Sequence, residues 1–499
     1  MDYFVVDGVS SIFAGLALLV GALCLLYSKW YIHEERPKYY GLMIMFIVSM
    51  AGLVIANDSI LLVLFWEMTA ICSYGLIGIK GTESASKSAG KALIITQLGA
   101  AALITALAMG WAAGATTLPA AIALGSPVIL ALLCVAALTK SAVFPFHSWL
   151  PSAMEAPTPV SALLHSAAMV MAGVYLVARM AVALSTQPLI SDAVIVLAAV
   201  SIIYASVMAF FQTDLKRLLA YSTIANIGMM FIAMLYGPIA MAAGLLHVIS
   251  HAFFKAALFL EAGVLEREYG TKNYQHIRGV ISSMPLTAIA IVLAALSATG
   301  VPLTLGFASK WAMYTNVPLV AFVLMFGTMS GLVYYANFLG NILFGRTGKG
   351  TDRLVPLLAI VPMVLVTFAG VFPQPFEAIA AAAASAAYGV PVSLASIPIA
   401  LPILLVVAVI GALLFTNTYP ETFTGGEPAP EVGEYTPTQQ LREEAKLMAV
   451  DTDLIFMKQW GSLLQSLGFA ADAERHIEKS PLLWVVFAVA LSAAAMVVL

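Results

Sequence analysis

Fourteen apolar stretches, most of them about twenty residues long, follow one another through this chain. They fall at residues 9–28, 40–57, 59–79, 90–113, 127–155, 157–181, 189–211, 217–236, 238–262, 284–314, 318–344, 352–372, 398–416 and 481–499. A helix of about twenty residues crosses the ~30 Å hydrocarbon core of a bilayer and pairs all its backbone groups internally, which lipid demands. Of the 499 residues, 62% are hydrophobic and only 10% are charged, too few charges to wet the surface of a soluble protein this long. The reading is an all-α polytopic membrane protein with about fourteen transmembrane helices.

Two spans are interrupted. The fifth carries Phe144-Pro145-Phe146 and Leu150-Pro151; the tenth carries Gly300-Val301-Pro302 ahead of Gly306. Pro and Gly break the helical ladder, and non-helical backbone at membrane depth survives only inside protein or beside a polar cavity. The two interruptions lie five spans apart, which suggests two related halves. An odd number of spans per half sets the second copy inverted. The domain reading is an N-terminal helix and loop at 1–39, a first repeat at 40–181, an inverted second repeat at 189–344 and further spans at 345–416. A Pro-, Gly- and acid-rich linker at 417–436 and an amphipathic lateral helix at 437–480 lead to a final anchor at 481–499.

Loops after odd-numbered spans carry Lys29, Arg36, Lys38, Lys80, Lys87, Lys91, Lys216, Arg217, Arg267, Lys272, Arg278, Arg346, Lys349 and Arg353. Loops after even-numbered spans carry almost none, Arg179 being the exception. The positive-inside rule then puts the basic loops in the cytoplasm and both termini outside, in a plasma (inner) membrane. The first residues lack the basic stretch of a cleavable signal, so the first helix is expected to stay.

Well inside the spans the only basic residues are Lys140, Lys255 and Lys310, Glu67 is the clearest buried acid, and each interrupted span holds one Lys. Intramembrane ionisable groups are costly and usually mark ion or proton pathways. His247, His251 and Lys255 recur every four residues and share one helical face, which suits a relay because imidazole titrates near neutral pH. Two alternatives stand beside the relay. One is a zinc site on the two imidazoles, which lacks the Glu of HExxH and a third ligand; the other is polar bridging between helices. His165 is a relay group or a satisfied core imidazole, and Glu155 a helix cap or a proton-loading group.

No nucleic acid is expected at a net charge of −3. The three cysteines sit singly, with no CxxC, and neither a metal nor a cofactor is expected. The Gly345-Arg-Thr-Gly-Lys-Gly-Thr351 run lacks phosphate-loop spacing and reads as a basic flank; the Ala-rich run 378–388 reads as a small-residue helix or connector.

Four stretches together carry a resemblance. They are Phe65-Trp66-Glu67 with Cys72-Ser73-Tyr74; Thr139-Lys140-Ser141 through Ala156-Pro157-Thr158-Pro159-Val160-Ser161-Ala162-Leu163-Leu164-His165; His247 through Lys255; and Gly306-Phe307-Ala308-Ser309-Lys310. Over roughly residues 5–345 the chain resembles the antiporter-like subunits shared by respiratory complex I, Mrp-type cation/proton antiporters and membrane-bound hydrogenases. The resemblance implies a Glu67–Lys140 pair, a connecting set of His165, His247, His251 and Lys255, and a terminal Lys310. Together these form a half-channel, a central axis and a second half-channel. A movable Glu–Lys pair loads and releases a proton, because each charge stabilises the other only while they are close.

Two departures are visible. The family usually has about two spans ahead of the first one here. Its largest members also carry an Arg and an Asp after the WE helix, where this chain has Thr96-Gln97-Leu98-Gly99-Ala100, which counts against a sodium or proton site built on those charges.

The expectation is therefore a proton-translocating, antiporter-like subunit of a multisubunit membrane complex, redox-driven and of the complex I or hydrogenase type, without redox chemistry of its own. Expected partners are other membrane subunits, the lipid bilayer, H+ and Na+. The alternatives are a Na+/H+ exchange module of an Mrp-type antiporter, a non-conducting scaffold, and a membrane partner of an inorganic-carbon uptake enzyme.

Overall fold

The helices begin where a side chain can take the first free amides. Asp7, Asp58, Thr82, Thr117, Asp214 and Thr304 each accept from backbone N–H groups one turn on and so cap the helices that follow them. The structure, a computed structural model, describes residues 2–344 and 369–394. All of these lie in one compact unit. The linker 417–436, the lateral helix 437–480, the spans 398–416 and 481–499 and most of 352–372 fall outside the described residues.

In chain order the elements are α1 (Gly8–Tyr31), α2 (Arg36–Ile55), α3 (Ser59–Ile77), α4 (Glu83–Ala112), α5 (Leu118–Ala123), α6 (Pro127–Lys140), α7 (Trp149–Ser152), α8 (Thr158–Ser166) and α9 (Met169–Leu184). They continue with α10 (Pro188–Phe211), α11 (Leu215–Leu235), α12 (Pro238–Tyr269), α13 (Val280–Ser283), α14 (Pro285–Thr299), α15 (Leu305–Asn316), α16 (Ala321–Leu343) and α17 (Gln374–Tyr388). Among the described residues, nine helical segments are long and apolar enough to cross a membrane. The fold is thus all-α and polytopic.

Burial orders the bundle. The apolar window of α12 is 100% buried and that of α11 94%, whereas α10 and α3 reach 44% and α16 39%. α12 is therefore the central post, packed on by α1, α8, α11, α14, α15 and α17. His247, His251 and Lys255 on α12 are fully buried, while α10 and α16 turn apolar side chains such as Val196, Ile203, Phe322 and Val333 outward.

Both interruptions are present. After α6 the chain leaves the helix through Ala142, at a φ of 54°, and re-forms α7. After α14 it passes Gly300 at 73° and Leu303 at 70° before α15. A left-handed residue other than Gly costs about 1–2 kcal/mol, so both turns are held by their surroundings. The freed backbone groups find partners: Trp149 Nε1 donates to Thr139 O at 3.0 Å, and the Phe144 amide donates to Ser201 Oγ at 2.8 Å. Gly306 lets α15 close against α14; a Cβ there would lie 1.8 Å from Ser297 O.

The sixth span differs from expectation. It is two helices, α8 and α9, parted at Ala167-Ala168, where Ala168 has φ −113° and ψ −107°. No Pro or Gly marks this break. Two elements also run past their apolar limits: α4 starts at Glu83 and α12 continues to Tyr269. The Ala-rich run lies within α17.

One hydrogen-bond pattern occurs twice at a constant offset. Asp58 bridges Thr117, and 156 residues on Asp214 bridges Asn273. The Ser59 amide donates to Thr116 O and the Leu118 amide to Asn57 O; at the same offset the Leu215 amide donates to Lys272 O and the Tyr274 amide to Thr213 O. In each case the Asp caps the helix that follows it, α3 or α11. The third spans, α4 and α12, are 30 and 32 residues long.

Candidate functional site

Glu67 and the buried lysines of the spans each have a definite partner. At one end Glu67, on α3, takes a hydrogen bond from Gln97 Nε2 of α4 at 2.6 Å. Lys140 closes α6 and is wholly buried. Its Nζ donates to Trp66 O at 3.0 Å and sits 4.9 Å from the centre of the Trp66 ring. Glu67 and Lys140 lie within electrostatic reach of each other, yet no direct ion pair joins them among the described residues. Each end of the expected pair is thus held by a third group.

His165 is fully buried on α8 and stacks on Phe259 of α12, the centroids 4.6 Å apart. Neither ring nitrogen has a hydrogen-bond partner among the described residues, and the same holds for His251. Buried polar atoms normally find partners, so an orphan imidazole at this depth marks a place for a polar guest.

Lys255 Nζ donates to Leu219 O of α11 at 2.9 Å, and Tyr335 Oη of α16 stands at 3.5 Å. Tyr335 in turn pairs with Ser222 Oγ at 3.1 Å. His247, His251 and Lys255 lie on one face as the four-residue spacing requires, with the two imidazole centroids 6.4 Å apart. Among the described residues no group of three or more His, Cys, Asp or Glu is placed to hold a metal.

His247 has the most informative contacts. Asn226 Nδ2 donates to Ser222 O at 2.7 Å, which turns Asn226 Oδ1 towards His247 Nε2 at 3.0 Å. An amide oxygen only accepts, so Nε2 carries the hydrogen and Nδ1 is the basic atom. Ser309 Oγ lies 3.0 Å from Nδ1 and 3.1 Å from Gly306 O. With neutral imidazole, the serine hydroxyl donates to Nδ1. With imidazolium, Nδ1 donates to Ser309 Oγ and the hydroxyl turns to Gly306 O. Both protonation states are therefore satisfied without moving a heavy atom. The next residue, Lys310, is 3% exposed and donates to Ala298 O at the end of α14, at 2.5 Å.

The structure brings His247, Ser309 and Lys310 together, and separately sets His165 on Phe259 of the helix that carries Lys255. It leaves Glu67 and Lys140 apart. Sequence reasoning passed over Gln97, Asn226 and Tyr335, and it placed Lys216 in a loop. Lys216 is 1% exposed in α11, its Nζ on Ala156 O at 2.7 Å. The readable signals were Ser222 and Asn226 at i and i+4 in an apolar span, and Asp214 as a cap that draws Lys216 into the helix.

Arg179, the basic residue that departs from the odd-loop pattern, is neutralised. It forms an ion pair with Asp7, the cap of α1, and bonds Tyr175 Oη at 3.0 Å.

Comparison with known proteins agrees with this architecture. Residues 56–334 match the family described as NADH:quinone oxidoreductase/Mrp antiporter, transmembrane. A probable K(+)/H(+) antiporter protein of Rhizobium meliloti is 37% identical over 370 residues, 70% of this chain and 37% of that protein. A Na(+)/H(+) antiporter protein of Staphylococcus saprophyticus is 33% identical over 413 residues, 74% of this chain and 51% of that protein. In the solved Mrp complex from Dietzia sp. DQ12-45-1b, one chain is 31% identical with a TM-score of 0.74, covering 99% of this chain and 56% of its own. The chain thus spans about half, or less, of the length of these relatives. An archaeal membrane-bound sulfane sulfur reductase shares the fold at 24% identity and a TM-score of 0.73. With more than half of its residues matched, the chain belongs to the NADH:quinone oxidoreductase/Mrp antiporter transmembrane family.

Proposed function

We propose that this chain is the proton-conducting part of a multisubunit cation/proton antiporter in the plasma membrane. The path runs from Glu67 and Lys140 through His165, Lys255, His251 and His247 to Lys310. The observation that carries the reading is the His247–Ser309–Lys310 arrangement, in which the imidazole can gain or lose a proton with every partner kept. A static packing role has no use for that property. Lys140, Lys255 and Lys310 each rest on a backbone carbonyl rather than on a carboxylate. The open Glu67–Lys140 pair supplies the alternating charge: its closure would favour the charged forms of both residues and its opening the neutral ones.

The relatives above 30% identity carry names of sodium or potassium exchange for protons. This favours exchange over a redox drive for this chain. The two halves, 40–181 and 189–344, form an inverted repeat in this reading, supported by the Asp58–Thr117 and Asp214–Asn273 bridges at one offset. The basic loops face the cytoplasm and both termini the outside, which the neutralised Arg179 supports. Neighbouring subunits cover the half-exposed face that carries Glu67 and Gln97.

Exchange in vesicles containing the assembled complex tests the reading. A sodium or potassium gradient should drive proton movement in wild type, and Lys140→Ala or Glu67→Gln should reduce it by at least about tenfold. Undiminished exchange by both variants, normally assembled, would contradict it.

A further inference from the structure

A second set of titratable groups sits at the basic-loop end of the axis, where α1, α8, α11 and α12 meet. Lys216 Nζ lies 3.7 Å from Glu266 Oε2; the lysine side chain is 1% exposed and the carboxylate 18%. Glu266 Oε2 also accepts from Thr158 Oγ1 at 2.8 Å and from Tyr31 Oη at 3.1 Å. Lys80, Lys272, Glu155 and Asp214 surround the pair, with Lys272 Nζ 3.9 Å from Glu155 Oε2. The carboxylate faces the loops and the ammonium faces the interior, clamped on Ala156 O.

Two relationships point inward from this cluster. Thr158 and His165 stand seven residues apart on α8, two turns along one face and roughly 10 Å of axis. Glu266 and Phe259 stand seven apart on α12. Thr158 touches Glu266 and His165 stacks on Phe259, so the two helices run antiparallel in register from the cluster to the orphan imidazole. They are also pressed together there: a Cβ on Gly263 would meet Thr158 Cγ2 at 2.9 Å and Tyr27 Oη at 2.8 Å.

The internal repeat supplies a control. At the constant offset of 156 residues the positions matching Lys216 and Glu266 are Ile60 and Gly110. The first half has no such pair at the opposite membrane face. The cluster is therefore not a by-product of the repeated fold.

We infer that Glu266 is the proton-loading group of the axis from the basic-loop face, with Lys216 as the residue that positions it and sets its readiness. This rests on the axis reading above. A solvent proton forms the O–H bond on Glu266. That bond then breaks as an N–H bond forms on His165, water carrying the proton across the gap. His165 next passes it to the neutral amine of Lys255. Lys216 stays protonated and holds the carboxylate charged between loadings.

The test uses the assembled complex in vesicles of known orientation, with pH varied on the basic-loop face alone. Glu266→Gln should lower proton uptake from that face at least tenfold. Lys216→Gln should move half-maximal uptake to higher pH, because a carboxylate without its neighbouring cation holds a proton more readily. A purely structural role would scale the rate and leave the profile in place. Should Glu266→Gln fail to assemble, Tyr31→Phe with Thr158→Val removes two donors from the carboxylate and should move the profile in the same direction. Wild-type rate and profile in these variants would overturn the loading role. Lys255→Ala, measured alongside, separates the two ideas: its loss of transport keeps the axis whatever the cluster does, and its normal transport removes the axis itself.

Discussion

Gln97 Nε2 donates to Glu67 Oε2 at 2.6 Å, a short contact between α4 and α3 at one end of the path. It explains how a carboxylate stays within the apolar bundle while its lysine partner rests on Trp66. Hydrogen bonds to charged groups contribute about 1.5–3 kcal/mol. Gln97→Leu should release Glu67 towards Lys140, lock the pair shut and slow exchange by about tenfold. Gradient-driven proton flux in vesicles measures it; an unchanged rate would mean Gln97 merely fills space.

Ser309 is the rotor that serves both forms of His247. Ser309→Ala leaves Nδ1 without a donor when neutral and without an acceptor when charged. Exchange should fall by about tenfold or more, with assembly intact. Ser309→Thr, which keeps the hydroxyl, should retain more activity than the alanine variant in the same flux measurement.

Lys310→Arg should behave like Lys310→Ala. Guanidinium stays protonated at every pH of interest and cannot release a proton. Recovery of flux by the arginine variant would show that Lys310 supplies only positive charge.

The Asp7–Arg179 pair gives a stability signature outside the spans. Burial pushes the Asp7 carboxyl up, but the Ser10 amide and the Arg179 guanidinium overcome this and hold it below the usual carboxylate range. A lowered folded pKa contributes stability above the unfolded value, about 3.9, and that contribution is lost as pH falls through the folded value. Thermal unfolding in detergent should show wild type losing its advantage over Asp7→Asn as pH drops below about 4, while the advantage is full near neutrality.

Much of this arrangement is legible in the chain. Periodic apolar length reports the spans, Pro145 and Gly300 report the interruptions, and isolated charges report Glu67, Lys140, Lys255 and Lys310. The split at Ala167-Ala168 has no such mark, because neither residue disfavours a helix. Lys216 looks like one more basic flank of a span, and only the Asp214 cap and the approach of Ala156 O show that it is inside. Gln97 reads as the loss of a charged pair, whereas in space it is the donor that Glu67 needs. The repeat is faint in residue identity, since Lys255 matches Gly99 at the shared offset, and it survives in backbone pairing instead.

Lys255, wholly buried on the post helix, joins the two ends of one continuous path. Its most direct test is gradient-driven proton flux through the assembled complex carrying Lys255→Ala, read with a pH dye inside vesicles. Flux should fall by at least about a hundredfold with normal subunit recovery. Flux at the wild-type rate from a fully assembled Lys255→Ala complex would contradict it.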